Sequence, residues 1–325
     1  MSSERTVIGV DVGGTKTSVA TMRGGVVGAP LVRPTDRTGA EALIAQIVSQ
    51  IGEVSAGESA AAVGIGIPSV VEFATGRART SVNVPLQDVP LRGLMSERLG
   101  IPVFVDNDAT VAALAEAHDD QGRLDVRSLF MFTVGTGVGG GIVIDGRSYR
   151  GATGAAGEVG HTLIAIDEDM PAATGFPQPG SLESLAAGHV LDRIARAAAA
   201  AHPDSALGRA LAAAGKVAGP DAVAAAKAGD EVAIACVATL GRRLGIGVAN
   251  AINTFDPEVV AIGGGVSSAG ELLLGPLRAA ALEYVLPGVG TATEIRIARS
   301  GPQAGVRGAA LLARSELKSQ NGEAR

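Results

Sequence analysis

Aromatic residues are nearly missing from this 325-residue chain: they make up 2%, and there is no tryptophan. Rings supply the stacking surfaces of carbohydrate-binding lectins and of single-strand nucleic-acid platforms, so neither class is expected. Cysteine is almost absent too. Cys236 stands alone, which excludes an internal disulfide and suits a reducing cytoplasm. It lies in the apolar run Val232-Ala233-Ile234-Ala235-Cys236-Val237 and reads as a small core residue. Positive charge is not in excess: 27 Lys and Arg against 33 Asp and Glu leave a net charge of −6. Such a chain has no electrostatic reason to seek nucleic acid or an anionic membrane, although a local basic pocket for a phosphate stays open. The stretch Met1 to Thr6 is short and polar and lacks the apolar region of a signal peptide. No apolar run of ~18 residues is free of charge, because Arg242 and Arg243 interrupt the segment from Glu231 to Ile252.

What is present describes a globular protein. Hydrophobic residues make up 46% and charged residues 18%, and the length suits two α/β domains with an aliphatic core. Val7 to Val10 and Thr17 to Met22 read as two strands around a glycine turn. Ala40 to Ile51 has helical spacing, and Ala61 to Ile67 is a buried strand. Leu91 to Leu99 reads as a helix stopped by Gly100. The strand Ile101 to Val105 runs into Asp106-Asn107-Asp108 and then a helix to about Ala117. The polar stretch His118 to Arg127 marks a boundary. The expected domains are therefore 1–118 and 119–304, with a C-terminal helix, 305–325, packing back on the first. Leu129 to Val134 and Ile142 to Ile144 flank a second glycine turn, and Asp145-Gly146 is a turn signal. Residues 151–183 read as a long loop with short strands, and Leu182 to Asn253 as mostly helical. Val259 to Ile262 is a strand leading into Gly263-Gly264-Gly265-Val266-Ser267 and a helix. The last apolar helix, Gly305 to Ala313, precedes a polar tail read as frayed.

Three times a buried strand ends in a glycine-rich turn, which implies two related halves. Asp11-Val12-Gly13-Gly14-Thr15-Lys16 combines open backbone with a carboxylate, a hydroxyl and a cation. It suits phosphate, with Asp11 holding magnesium through water; a plain hairpin turn is the alternative. Gly135-Thr136-Gly137-Val138-Gly139-Gly140 matches the dinucleotide fingerprint, but strand rather than helix follows, so it reads as a phosphate-binding hairpin. Gly263, Gly264 and Gly265 suit close approach to a base or ribose, or an ordinary strand–helix turn. Asp106-Asn107-Asp108 is either a helix cap or the carboxylate that accepts a hydroxyl proton in phosphoryl transfer. Glu158 and His161, between glycines, suit sugar hydroxyls or a plain surface pair.

These motifs, with Leu182-Glu183, occur in the order seen in the ROK family, and the chain resembles its bacterial glucokinases from Val7 to about Ala313. The resemblance implies an actin/hexokinase-like fold (duplicated ribonuclease H-like), two α/β domains closing on an interdomain cleft. It implies ATP with Mg2+ as cofactor and a hexose as acceptor. By matching position Asp108 is the catalytic base, and Asn83, Asn107, Glu158, His161 and Glu183 hold sugar hydroxyls. The first two glycine turns take the ATP phosphates and the third the adenosine. The resemblance also implies a homodimer or homotetramer. One departure stands out. The family commonly carries C-x-C-G-x-x-G-C before the Leu-Glu pair, which binds zinc together with the motif histidine. Here Thr174-Gly175-Phe176-Pro177-Gln178-Pro179-Gly180-Ser181 replaces every cysteine, so zinc is not expected. Pro171, Pro177 and Pro179 are expected to stiffen that loop. Repressor members of the family carry a helix-turn-helix segment ahead of these motifs; only ten residues precede Asp11, so a DNA-binding role is not expected.

Overall fold

A computed structural model describes residues 5–81, 83–165, 172–320 and 322. The chain forms two compact units, one of Met1–Leu129, Gly141–Gly157 and Arg299–Arg325, the other of Phe130–Gly140 and Glu158–Ala298.

In the first unit β1 (Val7–Val12) and β2 (Lys16–Arg23) form the expected antiparallel hairpin, and β3 (Val26–Val27) and β4 (Leu31–Pro34) both pair with β2. Helix α1 (Ala40–Ser55) buries Leu43, Ile44, Ile47 and Ile51, the apolar stripe that helical spacing predicts. Strand β5 (Val63–Ile67) lies parallel to β1. A two-stranded ribbon follows, β6 (Ser69–Glu72) with β7 (Arg77–Ser81). Helix α2 (Leu91–Leu99) ends at Gly100, whose φ of 67° is the left-handed stop that glycine tolerates. Strand β8 (Val103–Asn107) pairs in parallel with β5 and leads straight into α3 (Asp108–Glu116).

The second half of the chain repeats the plan. Strands β9 (Leu129–Val134) and β10 (Val138–Ile144) make a hairpin, extended by β11 (Arg147–Ser148). Helices α4 (Leu182–Ala186), α5 (Gly188–Ala201), α6 (Ala206–Ala214), α7 (Gly219–Lys227) and α8 (Glu231–Phe255) follow. Then come β12 (Val259–Gly263), a short 3-10 turn at Gly265–Ala269, α9 (Glu271–Tyr284) and β13 (Glu294–Ile297). The sheet orders β2-β1-β5-β8 and β10-β9-β12-β13 are the same: a hairpin first, then two later strands added beyond its first strand. The duplication expected from the recurring glycine turns is therefore a duplication of strand order. Between β11 and α4 the described residues hold no strand, only a 3-10 turn and one bridge, Leu163 to Ser181. Helix α8 is long and apolar enough to cross a membrane, but it is a packed helix, with Leu240, Leu244 and Val248 fully buried.

Helix α10 (Ala304–Gln320) packs on β1, β5 and α3 of the first unit. It runs on to Gln320 where the polar sequence reads as a frayed tail; Leu317 packs against the core there and Glu316 pairs with Arg150. It meets β1 at Gly9 and β5 at Gly64 with no side chain between: a methyl at Gly64 would overlap the Ala309 carbonyl. At Gly308 a methyl would overlap the Val111 carbonyl of α3. Replacing Gly308 by alanine therefore forces two helices apart, and overpacking of this kind costs ~1–3 kcal/mol. Gly308→Ala should lower the urea midpoint accordingly, and an unchanged midpoint would show that α10 and α3 are not in backbone contact.

Candidate functional site

The first glycine turn is fastened from behind. The Gly13 N–H donates to the Lys16 carbonyl (2.9 Å), the Thr35 hydroxyl donates to the Gly13 carbonyl (2.7 Å), and the Thr35 N–H to the Thr15 carbonyl (3.1 Å). With these carbonyls engaged, Gly14, Thr15 and Lys16 form a rigid edge. Asn83 packs against Gly14, so a methyl added there would stand 3.0 Å from the Asn83 Cβ. Its neighbour Val82 lies outside the described residues. Asp11 faces the first turn of α10, where only glycine at position 305 leaves room for the carboxyl group. Burial, and then the negative charge of Asp108, push the Asp11 carboxyl up to about 6, while Lys16 pulls it down.

The Asp106-Asn107-Asp108 triplet divides into three jobs. Asp106 is buried and accepts from Arg150 Nε at 2.7 Å; its other oxygen takes the Asn107 N–H at 3.0 Å. Burial raises its pKa, and Arg150 opposes that rise. Asn107 is the cap of α3: its Oδ1 accepts from the N–H groups of Ala109 (2.9 Å) and Thr110 (3.2 Å), and its Nδ2 donates to the Ser69 carbonyl at 3.2 Å. Asp108 is the first helical residue, with Oδ1 on the Ala109 N–H at 2.8 Å. The capping reading holds for Asn107, and it leaves the Asp108 carboxylate at a helix N-terminus, beside Asp11, where negative charge is favoured.

The second unit builds its own constellation on the β9–β10 turn. The Gly135 N–H closes onto the Gly137 carbonyl (2.9 Å), and the Gly135 carbonyl accepts from Gly188 N–H (2.7 Å). The Thr136 carbonyl lies 3.0 Å from Nδ1 of His189, which therefore carries the proton. Glu183 is drawn to this turn: its Oε2 accepts the Val138 N–H at 2.8 Å and fills the space where Gly137 has no side chain. Glu158 and His161 flank the 3-10 turn Val159–His161, both part-exposed, with Nε2 and Oε2 3.9 Å apart. Gly160 packs on the Val138 carbonyl and the Glu183 Cβ, so the Glu158–His161 segment and Glu183 are neighbours. His161 meets the edge of the Phe176 ring, centroids 5.3 Å apart. The loop that replaces the cysteines is held by Gln178, whose amide binds Ala173 N–H and carbonyl (both 2.7 Å) and the Gly175 carbonyl (2.9 Å). The Gly180 carbonyl accepts from Ile164 and Ala165. Residues 166–171, with Pro171, lie outside the described residues.

In the third glycine turn each glycine has its own surroundings. Gly264 takes φ 84° and lies against the backbone of Val134, so its close approach is to the neighbouring strand. Gly263 ends β12, and Gly265 lines a cavity of about 510 Å³ together with Gly135, Thr136 and Gly188. Its far wall comes from α5 and α7: His189, Asp192, Val223 and Lys227. Those residues lie in alanine-rich helices and carry no local motif, so the sequence reading passes over them. Arg150 escapes because it lies in a loop, 44 residues along the chain from its partner Asp106. Among the described residues no group of three or more His, Cys, Asp or Glu is placed to hold a metal ion.

Asp11 has a consequence for stability. Between the ordinary carboxylate pKa near 3.8 and its folded value of about 6, the folded chain keeps a proton that the unfolded chain releases. Stability therefore falls as pH rises through that window, by on the order of 3 kcal/mol once the carboxyl is ionised. Asp11→Asn removes this cost. The variant should have a higher urea midpoint than wild type at pH 7.5, with the gap closing towards pH 4; a constant gap would contradict the assignment.

A profile of the ROK family matches residues 7–316. A glucokinase of Halalkalibacterium halodurans is 35% identical over 325 residues, 98% of this chain and 97% of that protein. The crystal structure of a ROK family glucokinase from Streptomyces griseus, in complex with glucose and AMPPNP, superposes with a TM-score of 0.79 at 32% identity. The match covers 95% of this chain and 99% of that one. A ROK hexokinase from Thermus thermophilus gives a TM-score of 0.76 at 35% identity, over 97% and 99%. Sequence and strand order agree over nearly the whole length: the chain belongs to the ROK family and has its actin/hexokinase-like fold.

Proposed function

We propose that this protein is an ATP-dependent hexose kinase, with glucose as acceptor and glucose 6-phosphate as product. The observation that carries the reading is the Asp108 carboxylate, set at the N-terminus of α3 beside the Asp11 glycine turn. The similarity to proteins named glucokinase supports it, as does the glucose and AMPPNP complex of one of them.

The sugar hydroxyls go to Asn83, Asn107, Glu158, His161 and Glu183. Glu183 already engages Val138 through Oε2, so Oε1 is the oxygen assigned to the sugar. Adenosine takes the cavity beside Gly265, and the phosphates lie along Gly13–Lys16 and Gly135–Gly137. Asp108 accepts the proton of the terminal hydroxyl as its oxygen bonds to the γ-phosphorus; the bond from phosphorus to the bridging oxygen breaks, and ADP leaves. A single carboxylate, Asp11, fits a magnesium ion held otherwise by phosphates and water. When bound, that ion would neutralise phosphate charge. It would also relieve the cost of ionising Asp11.

A panel of acceptors (glucose, mannose, fructose, allose, N-acetylmannosamine) against ATP and polyphosphate tests the reading. Glucose with ATP should give the highest kcat/KM. Asp108→Asn and Asp108→Ala should lower kcat by ~10²-fold or more, the scale of losing a general base. Near-wild-type turnover in either variant would refute the role of Asp108, and no turnover with any pair would refute the reading itself.

A further inference from the structure

The Asp108 carboxylate is at the end of a continuous run of hydrogen bonds that starts 42 residues away in sequence, at Arg150. The Arg150 Nε donates to Asp106 Oδ2 at 2.7 Å. Asp106 Oδ1 accepts the Asn107 N–H at 3.0 Å. Asn107 Oδ1 accepts the Ala109 N–H at 2.9 Å, and the same N–H is shared with Asp108 Oδ1 at 2.8 Å. Arg150 is itself fixed on three sides. Its Nη2 meets Glu316 of α10 at 3.3 Å, its guanidinium carbon lies 3.5 Å from the centroid of the Phe73 ring, and its carbonyl accepts the Ala156 N–H at 3.1 Å.

Stability alone does not account for this arrangement. Asp106 is 2% exposed. A buried ion pair is weak evidence for stability, since well-packed apolar residues of similar volume often do as well or better. An apolar pair would, however, leave the Asn107 N–H without its acceptor, and the peptide just before Asp108 would lose its orientation. We propose that Arg150 is a positioning residue for the transfer step: by holding Asp106 it fixes the end of β8, and so the direction in which Asp108 presents its carboxylate. Lysine is a poor replacement, because one point charge cannot serve Asp106, Glu316 and the Phe73 face together as the planar guanidinium does.

The inference rests on the kinase reading, and the test separates the two. Wild type, Arg150→Met, Arg150→Lys and Asp106→Asn are compared by steady-state kinetics with glucose and ATP, alongside circular dichroism and thermal melts. A displacement of about 1 Å from productive geometry costs on the order of 10²-fold in rate. Arg150→Met and Asp106→Asn should therefore lower kcat by ~10–100-fold while both KM values stay within about threefold. Arg150→Lys should recover part of the loss. A folded Arg150→Met or Asp106→Asn protein that melts earlier but keeps wild-type kcat would overturn the inference. So would a loss confined to KM. Where Arg150→Met does not fold, Asp106→Asn and Arg150→Lys, which conserve volume, decide by the same readout. An inactive wild type would instead refute the kinase reading.

Discussion

Helix α3 is held at both ends by buried carboxylates, and the geometry of the first unit follows from that. At its entrance Asp106 ties the strand end to Arg150. At its exit the Glu116 side chain, fully buried, accepts from the N–H groups of Arg299 (2.9 Å) and Ser300 (3.2 Å) and pairs with the Arg299 guanidinium at 3.5 Å. Buried charge persists only where it is paired and hydrogen-bonded, so each end tolerates one arrangement. The exit contact also sets the path into α10, whose Gly308 seats it on α3 and whose Gly305 leaves room for Asp11. One short helix thus places Asp108 directly and Asp11 through α10.

The result is two carboxylates within electrostatic reach of each other, one of them half-buried with its pKa raised. A structure optimised for stability alone would not contain this pair. Strongly shifted groups gather where chemistry needs them, and the fold carries the cost elsewhere, here in the close packing of α10 on β1 and β5. A cation brought in with a phosphate substrate would be accommodated by charge that the ligand-free protein holds at a disadvantage.

Features set by near neighbours were legible in the sequence. The two hairpins, the Gly100 stop, the helix after Asp108 and the strand that excludes a dinucleotide site all follow from local pattern. The resemblance of ordered motifs identified the family. Matching position singled out Asp108, but local pattern could not show that Asp106 is the carboxylate turned into the protein. That depends on Arg150, 44 residues beyond Asp106. The hold of Val138 on Glu183 spans 45 residues, and nothing local announces it. The wall of the cavity beside Gly265 was invisible for a different reason: in alanine-rich helices, His189, Asp192 and Lys227 look like ordinary surface positions. Gln178, which orders the loop in place of any cysteine, was hidden among prolines and glycines.

The central claim is that Asp108 addresses the hydroxyl that is phosphorylated. A crystal structure of the Asp108→Asn variant with glucose and a non-hydrolysable ATP analogue tests it most directly. The account predicts the terminal sugar hydroxyl within hydrogen-bond reach of the residue-108 side chain, about 2.6–3.2 Å, and on the side facing the γ-phosphate. A sugar bound with that hydroxyl turned towards any other carboxylate would contradict it.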